Sequence, residues 1–352
     1  MRSFNRIDQL LKSVPSDVVL KLSTIDVGRG SEASFRDQLP GLLGELSERS
    51  RVASITASSA IEGVVVPDPR RSAGIINGRI HRLRSRNEQE IAGYRDCLDY
   101  LFQRDWRPLN VGLLLHLHRM LFAHTAIDGG HFKPHDNLVV DRNSDGTTSI
   151  RFRPVAATET EYHVAELVDQ FNQTADRYHP ILAIGLFILD LSIVHPFEDG
   201  NGRVGRAITN ALLDHSGYTV GRYVSLEQLI ADDPDPYYSA LLASTHHWHE
   251  DQHDPWPWLR YFSTILATAY ETFCQRAAAG RGSGTKQERV QAHVLRHAPD
   301  TFTMADLRRA LPGISDQTIR LVLDRLRAEG RIKSDGSGRS AIWRQAEPNT
   351  RQ

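Results

Sequence analysis

The run ILAIGLFILDLSIV, from Ile181 to Val194, constrains the fold more than any other part of the chain. Opened by Pro180, it reads as a helix that is apolar on nearly every side, and such a helix is stable only when protein surrounds it. It is too short, and too interrupted by Asp190, to span a bilayer. At His195 the run stops. The next eleven residues, PFEDGNGRVGR, hold two acids, three glycines, an asparagine and two arginines. Apolar periodicity then resumes over Arg203–His215. A polar loop between two buried helices is costly unless its groups are used there.

Around this centre the periodicity is helical. The spacing predicts helices over Ser34–Leu46, broken or restarted at Pro40, and over Glu48–Ile61, which ends in Glu62-Gly63. A loop with PDPRR follows at Pro67–Arg71. Further helices are expected from Arg86, at Val111–Phe122, Glu159–Asn172, Pro180–Val194 and Arg203–His215, and in the segments Leu226–Ile230, Tyr237–Ser244 and Trp256–Ala278. One hairpin is expected, from short runs at Asn137–Val140 and Thr147–Phe152. Ala277–Lys286 reads as a linker. After it come a helix at Gln287–Arg296, two more helices, and two short strands joined at Asp335-Gly336-Ser337-Gly338, which is a winged helix-turn-helix pattern. The expected division is therefore 1–85 as an N-terminal helical region, 86–276 as the core, 277–286 as linker and 287–352 as the winged helix.

Composition narrows the setting. The 352 residues carry a formal net charge of −1, so no global field calls for nucleic acid or membrane. Two cysteines, Cys97 and Cys274, make no disulfide framework and suit a reducing compartment. The first residues lack an apolar core long enough for a signal peptide. A cytoplasmic protein with no membrane partner is expected.

Taken as chemistry, the central loop suits phosphates. Gly200, Asn201 and Gly202 stand before a helix start, where backbone N–H groups are unpaired and carry positive partial charge. Glycines let the backbone approach a ligand, which makes a nest for anions. Arg203 and Arg206, three apart, face one side and offer planar forks to phosphate oxygens. Asp199 is a hard oxygen ligand suited to Mg²⁺ beside phosphates. His195 has the range of a general base. Together these point to phosphoryl or nucleotidyl transfer. Each residue alone has an ordinary use as cap, turn or solvated face. Their conjunction within twelve residues between apolar helices decides for the functional reading. Phe197 reads as an apolar anchor, and Pro196 and Glu198 as spacers.

The stretch HPFEDGNGRVGR resembles the signature of Fic-domain proteins, H-x-F-x-[D/E]-G-N-G-R-x-x-R. All fixed positions match: His195, Phe197, Asp199, Gly200, Asn201, Gly202, Arg203 and Arg206. The similarity extends over roughly residues 1–275. It implies a mostly α-helical Fic core with a β-hairpin flap, ATP as substrate, Mg²⁺ as cofactor, and transfer of AMP to a Ser, Thr or Tyr hydroxyl of a target protein or of itself. On that resemblance His195 deprotonates the hydroxyl and Asp199 holds Mg²⁺ between the α- and β-phosphates. Gly200, Asn201 and Gly202 cradle the phosphates, Arg203 contacts them and Arg206 grips the γ-phosphate. SSAIEG (Ser58–Gly63) is similar to the family's inhibitory pattern [S/T]-x-x-x-E-[G/N], with Ser58 and Glu62 in its key positions. Glu62 is then expected to pair with Arg206 in place of the γ-phosphate, in the class whose inhibitory helix is N-terminal. Gly130–Val140 resembles the flap that holds a target by strand addition, with Gly130, Lys133, Asn137, Leu138 and Val139 as its candidate residues; Lys133 stands near the place where many flaps carry arginine. Tyr237-Tyr238 resembles a segment near the nucleotide base, and serves equally as aromatic packing. Family members often dimerise, so a homodimer is an expectation of the resemblance alone.

Two further features are weighed. His246, His249 and His253 could share a helical face, but a zinc site usually needs more ligands. His116 and His118 fall on different faces and read as structural. Residues 286–352 hold 13 Lys and Arg against 8 Asp and Glu. Ser315 caps their third helix and Ile319, Val322, Leu323 and Leu326 form its buried stripe. Its outer face mixes Asp324 with arginines, so DNA contact and protein docking weigh equally there. Three rivals to AMP transfer stay open at this point: a relative using another nucleotide, one that removes AMP, and a DNA-binding regulator with a nucleotide-sensing core.

Overall fold

A computed structural model of the chain describes residues 1–142, 148–282, 286–296, 298–299, 301–311, 313–336 and 341–345. The chain divides into two compact units, Met1–Asp26 with Arg49–Tyr270, and Val27–Glu48 with Glu271–Gln352. The fold is mostly helical. The helices are α1 (Arg2–Asn5), α2 (Ile7–Leu10), α3 (Ser16–Gln38), α4 (Pro40–Ile61), α5 (Pro69–Ile76), α6 (Arg86–Gln103) and α7 (Val111–Phe122). A hairpin of β1 (Val139–Arg142) and β2 (Thr148–Phe152) follows, then α8 (Ala157–Thr174), α9 (Pro180–Val194), α10 (Asn201–His215), α11 (Leu226–Asp232), α12 (Asp235–Thr245) and α13 (Trp256–Gly282). The chain ends with α14 (Lys286–Arg296), β3 (Thr301–Thr303), α15 (Met304–Ala310), α16 (Asp316–Ala328), β4 (Ile332–Asp335) and β5 (Ile342–Gln345). No helix among the described residues is long and apolar enough to cross a membrane.

In the first unit α9 is the central element. Every residue from Ile181 to Leu191 is buried, with α8 and α10 packed against it. Its one acid is satisfied. Asp190 accepts hydrogen bonds from Ser3 Oγ at 2.8 Å, Ser3 N at 3.2 Å and Trp248 Nε1 at 2.8 Å. Burial nonetheless pushes its carboxyl up to about 6. Ser85 and Asn110 cap α6 and α7 by accepting from Glu88 N and Leu113 N. The break near Pro40 is present, but the two helices expected on either side of Leu46 are one helix, α4. Arg86 does open a helix, yet residues on both sides of it belong to the same unit.

The hairpin differs from expectation. The antiparallel pair begins at Val139 opposite Phe152, two residues later than the run Asn137–Val140 suggests, and Thr147 lies outside the described residues. Gly130–Leu138 forms no strand. Its polar groups are drawn to the loop after α9 instead.

The second unit contains a three-stranded antiparallel sheet in the order β3-β5-β4. Ser315 Oγ accepts from Thr318 N at 3.3 Å, and Ile319, Val322, Leu323 and Leu326 are buried with Phe302, Leu307 and Ile332. Three helices and a terminal strand pair were expected here. The third strand, β3, was not. Phe302 at its middle is buried between two outward threonines, a pattern too short to read as a strand from sequence. Ser337 and Gly338 of the expected turn lie outside the described residues. The expected linker is helical through Gly282, because three alanines outweigh the neighbouring glycines. Residues 283–285 lie outside the described residues, and Lys286 opens α14.

Candidate active site

The loop His195–Gly200 joins the two buried helices α9 and α10. His195 closes α9 in the left-handed region, at φ 49°, with its N–H donating to Leu191 O at 3.0 Å. A non-glycine residue there is held against a local cost of about 1–2 kcal/mol. The turn aims its half-buried ring into a cavity of about 600 Å³. Nδ1 lies 3.3 Å from Ser192 O. A carbonyl only accepts, so Nδ1 carries the proton and Nε2 keeps a lone pair. Burial holds the imidazole down at about 4 against that hydrogen bond, with Lys133 lowering it and Glu62 raising it. The ring is therefore neutral near pH 7.

The loop is held shut by its own residues. Asn201 is bidentate on Phe197: Oδ1 accepts from Phe197 N and Nδ2 donates to Phe197 O, both at 2.8 Å. Phe197 is buried and stacks on His118, ring centroids 4.0 Å apart. His118 Nδ1 accepts from Gly130 N at 2.9 Å, so Nε2 bears the proton and donates to Asp199 O at 3.1 Å. Gly200 caps α10 at φ 83°, a conformation that L side chains avoid. Asn201 and Gly202, at the start of α10 where helix N–H groups lack an intrahelical partner, line the cavity.

Charges converge on this helix start. Arg203 is buried, with Nη1 on Glu90 and Nη2 3.4 Å from Asp199 Oδ1. Arg86 Nε also binds Glu90, and its Nη2 lies 3.2 Å from Asp199 Oδ2. Gly200 N donates to Asp199 Oδ1 at 2.6 Å. Arg206, also buried, is held from α4. Its Nε donates to Ser58 Oγ at 2.9 Å, and its Nη2 to Ser58 O at 2.9 Å and to Glu62 Oε1 at 2.8 Å. Burial opposes the charge of Arg206, but Glu62 together with Tyr237 and Tyr94 offsets it, and its pKa is raised.

Ser58, Glu62, His195, Asp199, Gly200, Asn201, Gly202, Arg203 and Arg206 thus meet around one loop. The candidate flap residues separate into two groups. Lys133 and Asn137 anchor to the loop, and Gly130 to His118 on α7. Lys133 is buried, with N donating to Pro196 O at 2.9 Å and Nζ to Val194 O at 3.1 Å and to Asn137 Oδ1 at 3.0 Å. Burial pushes its amine down to about 8, against Asp136. Asn137 Nδ2 donates to Phe197 O at 3.0 Å. Leu138 and Val139 line the cavity, and only Val139 of these residues lies in the hairpin. Tyr237 and Tyr238 line it too; Tyr237 packs edge-on against Trp258. The histidines after α12 are not gathered: His249 pairs with Arg153 O and His253 with Ser3 Oγ. Among the described residues no cluster of His, Cys, Asp or Glu suits a metal ion.

Residues 108–213 match the Fic/DOC family, and this span holds His195 and the loop through Arg206. The chain carries a Fic domain. Among curated proteins, protein adenylyltransferase fic-1 of Caenorhabditis briggsae is 26% identical over 142 residues, which are 38% of this chain and 25% of that protein. Protein adenylyltransferase Fic of Drosophila virilis is 28% identical over 137 residues, 37% of this chain and 25% of that protein. The match thus spans about a quarter of the length of these relatives. A Fic family protein from Desulfovibrio desulfuricans G20 shares the fold with a TM-score of 0.63 at 20% identity, over 96% of this chain and 98% of that one. Fic-1 (residues 134–508) of Caenorhabditis elegans does so at 0.58 and 20%, over 76% and 74%.

Two residues that position the loop of the Fic domain, Arg86 and Glu90 on α6, were not singled out in the sequence. Glu90 had one available signal, an acid beside the apolar stripe Ile91, Tyr94, Leu98. His118 on α7, read as structural, does hold the loop.

Proposed function

We propose that the protein transfers AMP from ATP to a hydroxyl of a protein, itself included, and that Glu62 restrains this transfer. The observation that carries the reading is the pairing of Glu62 with Arg206 beside His195 in one cavity of nucleotide size. His195 Nε2 takes the proton of the acceptor hydroxyl. The hydroxyl oxygen bonds to the α-phosphorus, the bond from that phosphorus to the bridging oxygen breaks, and pyrophosphate leaves. Arg203, the N–H groups of Gly202 and its neighbours, and Arg206 hold the phosphates in this reading. Asn201 serves by keeping the loop closed. Tyr237 and Tyr238 lie in the apolar part of the lining that suits a base.

Asp199 fits Mg²⁺ by its donor chemistry. Its carboxylate is half exposed and fixed by Gly200 N–H, and Oδ2 already holds a cation, Arg86. Mg²⁺ takes one or two carboxylates and fills its remaining sites with phosphate and water. When bound, the ion would neutralise charge developing on the leaving pyrophosphate. Arg86 would have to yield its contact.

Glu62 Oε2 makes no hydrogen bond among the described residues, which favours a second reading: the same carboxylate aligns a water that removes AMP. A DNA role is not carried forward. Arg308, Arg327 and Arg344 in the second unit pair with its own Asp316, Asp324 and Asp335.

ATP labelled at the α-phosphate, compared with ATP labelled at the γ-phosphate, tests the reading. Label retained on protein from the α-position alone is expected. Retention from the γ-position means phosphoryl transfer, and retention from neither contradicts the proposal.

A further inference from the structure

We propose that the loop Arg79–Ser85 is a docking surface for an acidic segment of the acceptor protein; this rests on the reading that the acceptor is a protein. Residues 67–86 contain six arginines and a single acid, Asp68. The loop between α5 and α6 has no regular structure, yet its backbone is fastened. Arg79 N and Ile80 N donate to Gly74 O at 2.8 and 3.1 Å. Arg71 Nη2 donates to Arg82 O at 2.9 Å and to Glu88 Oε2 at 2.8 Å, and Arg84 N donates to Glu88 Oε2 at 2.5 Å. Arg71 and the buried Glu88 thus form an ion-paired base beneath the loop.

Above that base, Arg79, Arg82 and Arg84 are exposed. Their side chains make no hydrogen bond or ion pair among the described residues. The surface adjoins the site: Ser85 caps α6, and the next residue, Arg86, reaches Asp199. Three exposed guanidinium groups on a fixed backbone, of which Arg84 alone also feels the Glu88 carboxylate, suit carboxylates, each able to bind in a fork. Their field raises the local concentration of an acidic segment beside the catalytic loop. Residues 67–86 contain no Phe, Tyr or Trp, so the aromatic platform that single-stranded nucleic acid stacks on is missing, as are the aromatic anchors of a membrane-surface segment.

The test is binding of a fluorescein-labelled peptide of about twelve alternating Glu and Ser residues to the full chain, followed by fluorescence anisotropy. The wild type is expected to bind it, and to bind about tenfold more weakly when NaCl rises from about 30 to about 300 mM. R79E/R82E/R84E is expected to weaken binding about tenfold, and R79K/R82K/R84K to stay within about threefold. A Gln-Ser peptide of the same length should not bind. Equal binding of the Glu peptide by wild type and the charge-reversed variant overturns the proposal. So does a thymidine oligonucleotide that binds about tenfold more tightly than the peptide and is lost in the same variant. Anisotropy needs no catalysis. A protein that labels itself from ATP but does not bind the peptide contradicts the docking surface alone; one that binds but never labels contradicts AMP transfer and leaves the surface standing.

Discussion

The carboxylate of Glu62 lies over Gly202: a Cβ placed on that glycine would stand 2.1 Å from Glu62 Oε1. The same oxygen is 2.8 Å from Arg206 Nη2. One acid at the end of α4 therefore covers the start of α10 and neutralises the arginine one turn further on. A side chain at 202 would have to displace the Glu62 carboxylate.

That contact predicts a coupling. Gly202→Ala should push Glu62 away from Arg206 and destabilise the protein, because a buried guanidinium loses its anion. In a Glu62→Gly background the chief clash is gone, and the alanine should cost less. The double-mutant cycle in urea should show a coupling of about 0.5–3 kcal/mol. Additive effects would mean that Glu62 does not rest on Gly202 in solution.

Glu90→Gln tests the support of Arg203. Glu90 is buried and carries the anionic charge facing both Arg203 and Arg86. Among the described residues Arg203 Nε already has no hydrogen-bond partner. Removing the carboxylate leaves a buried cation poorly compensated, at a cost of about 3–5 kcal/mol in denaturant unfolding. A loss under about 1 kcal/mol would show that Asp199 alone suffices.

The pH profile follows from His195. On the proposed reading its neutral form is the base, and burial holds the imidazole at about 4. For Glu62→Gly protein, kcat/KM for label transfer should stay level from pH 8 down to about 5.5 and fall only below that, since this profile reports the free enzyme. An acidic limb centred near 6.5, the ordinary histidine value, would contradict the buried neutral imidazole.

Stability has a pH dependence of its own. His118, His195 and His253 are each held near 4 by burial, below the unfolded value near 6.5. Between those values the unfolded chain binds more protons, so their contribution is complete above about 6.5 and is lost as pH falls towards 4. Asp190 works in the other sense. Its folded value, about 6, exceeds the unfolded 3.8, so its contribution is present below 3.8 and lost as pH rises through 6. Three groups outweigh one. Tm should rise from pH 4.5 to 6.5, and more steeply in Asp190→Asn. A Tm that falls over that window would refute the assignment.

The candidate loop was legible because one continuous segment carries it. Histidine, acid, glycines and arginines stand in a fixed order between two apolar helices, and local geometry then brings them together. Glu62 was legible only through the resemblance of SSAIEG to the family's inhibitory pattern; a helix-end acid followed by glycine says little by itself. What the sequence hid are the pairings that cross elements. Glu90 meets Arg203 across 113 positions, and an acid on an amphipathic helix looks the same whether it faces water or an arginine. For Lys133 the sequence offered only its place in the expected flap; its burial comes from two carbonyl-type acceptors, at the end of α9 and on Asn137, that draw its amine inside. The hairpin was displaced for the same reason, because Gly130–Asn137 spends its polar groups on the loop and only then enters a strand.

The most direct test of the central claim compares wild type, Glu62→Gly and His195→Ala, each incubated with Mg²⁺ and ATP labelled at the α-phosphate. Strong self-labelling by Glu62→Gly, weak labelling by wild type and none by His195→Ala is the predicted pattern. Glu62→Gly labelling no better than wild type would contradict restraint of the site by Glu62.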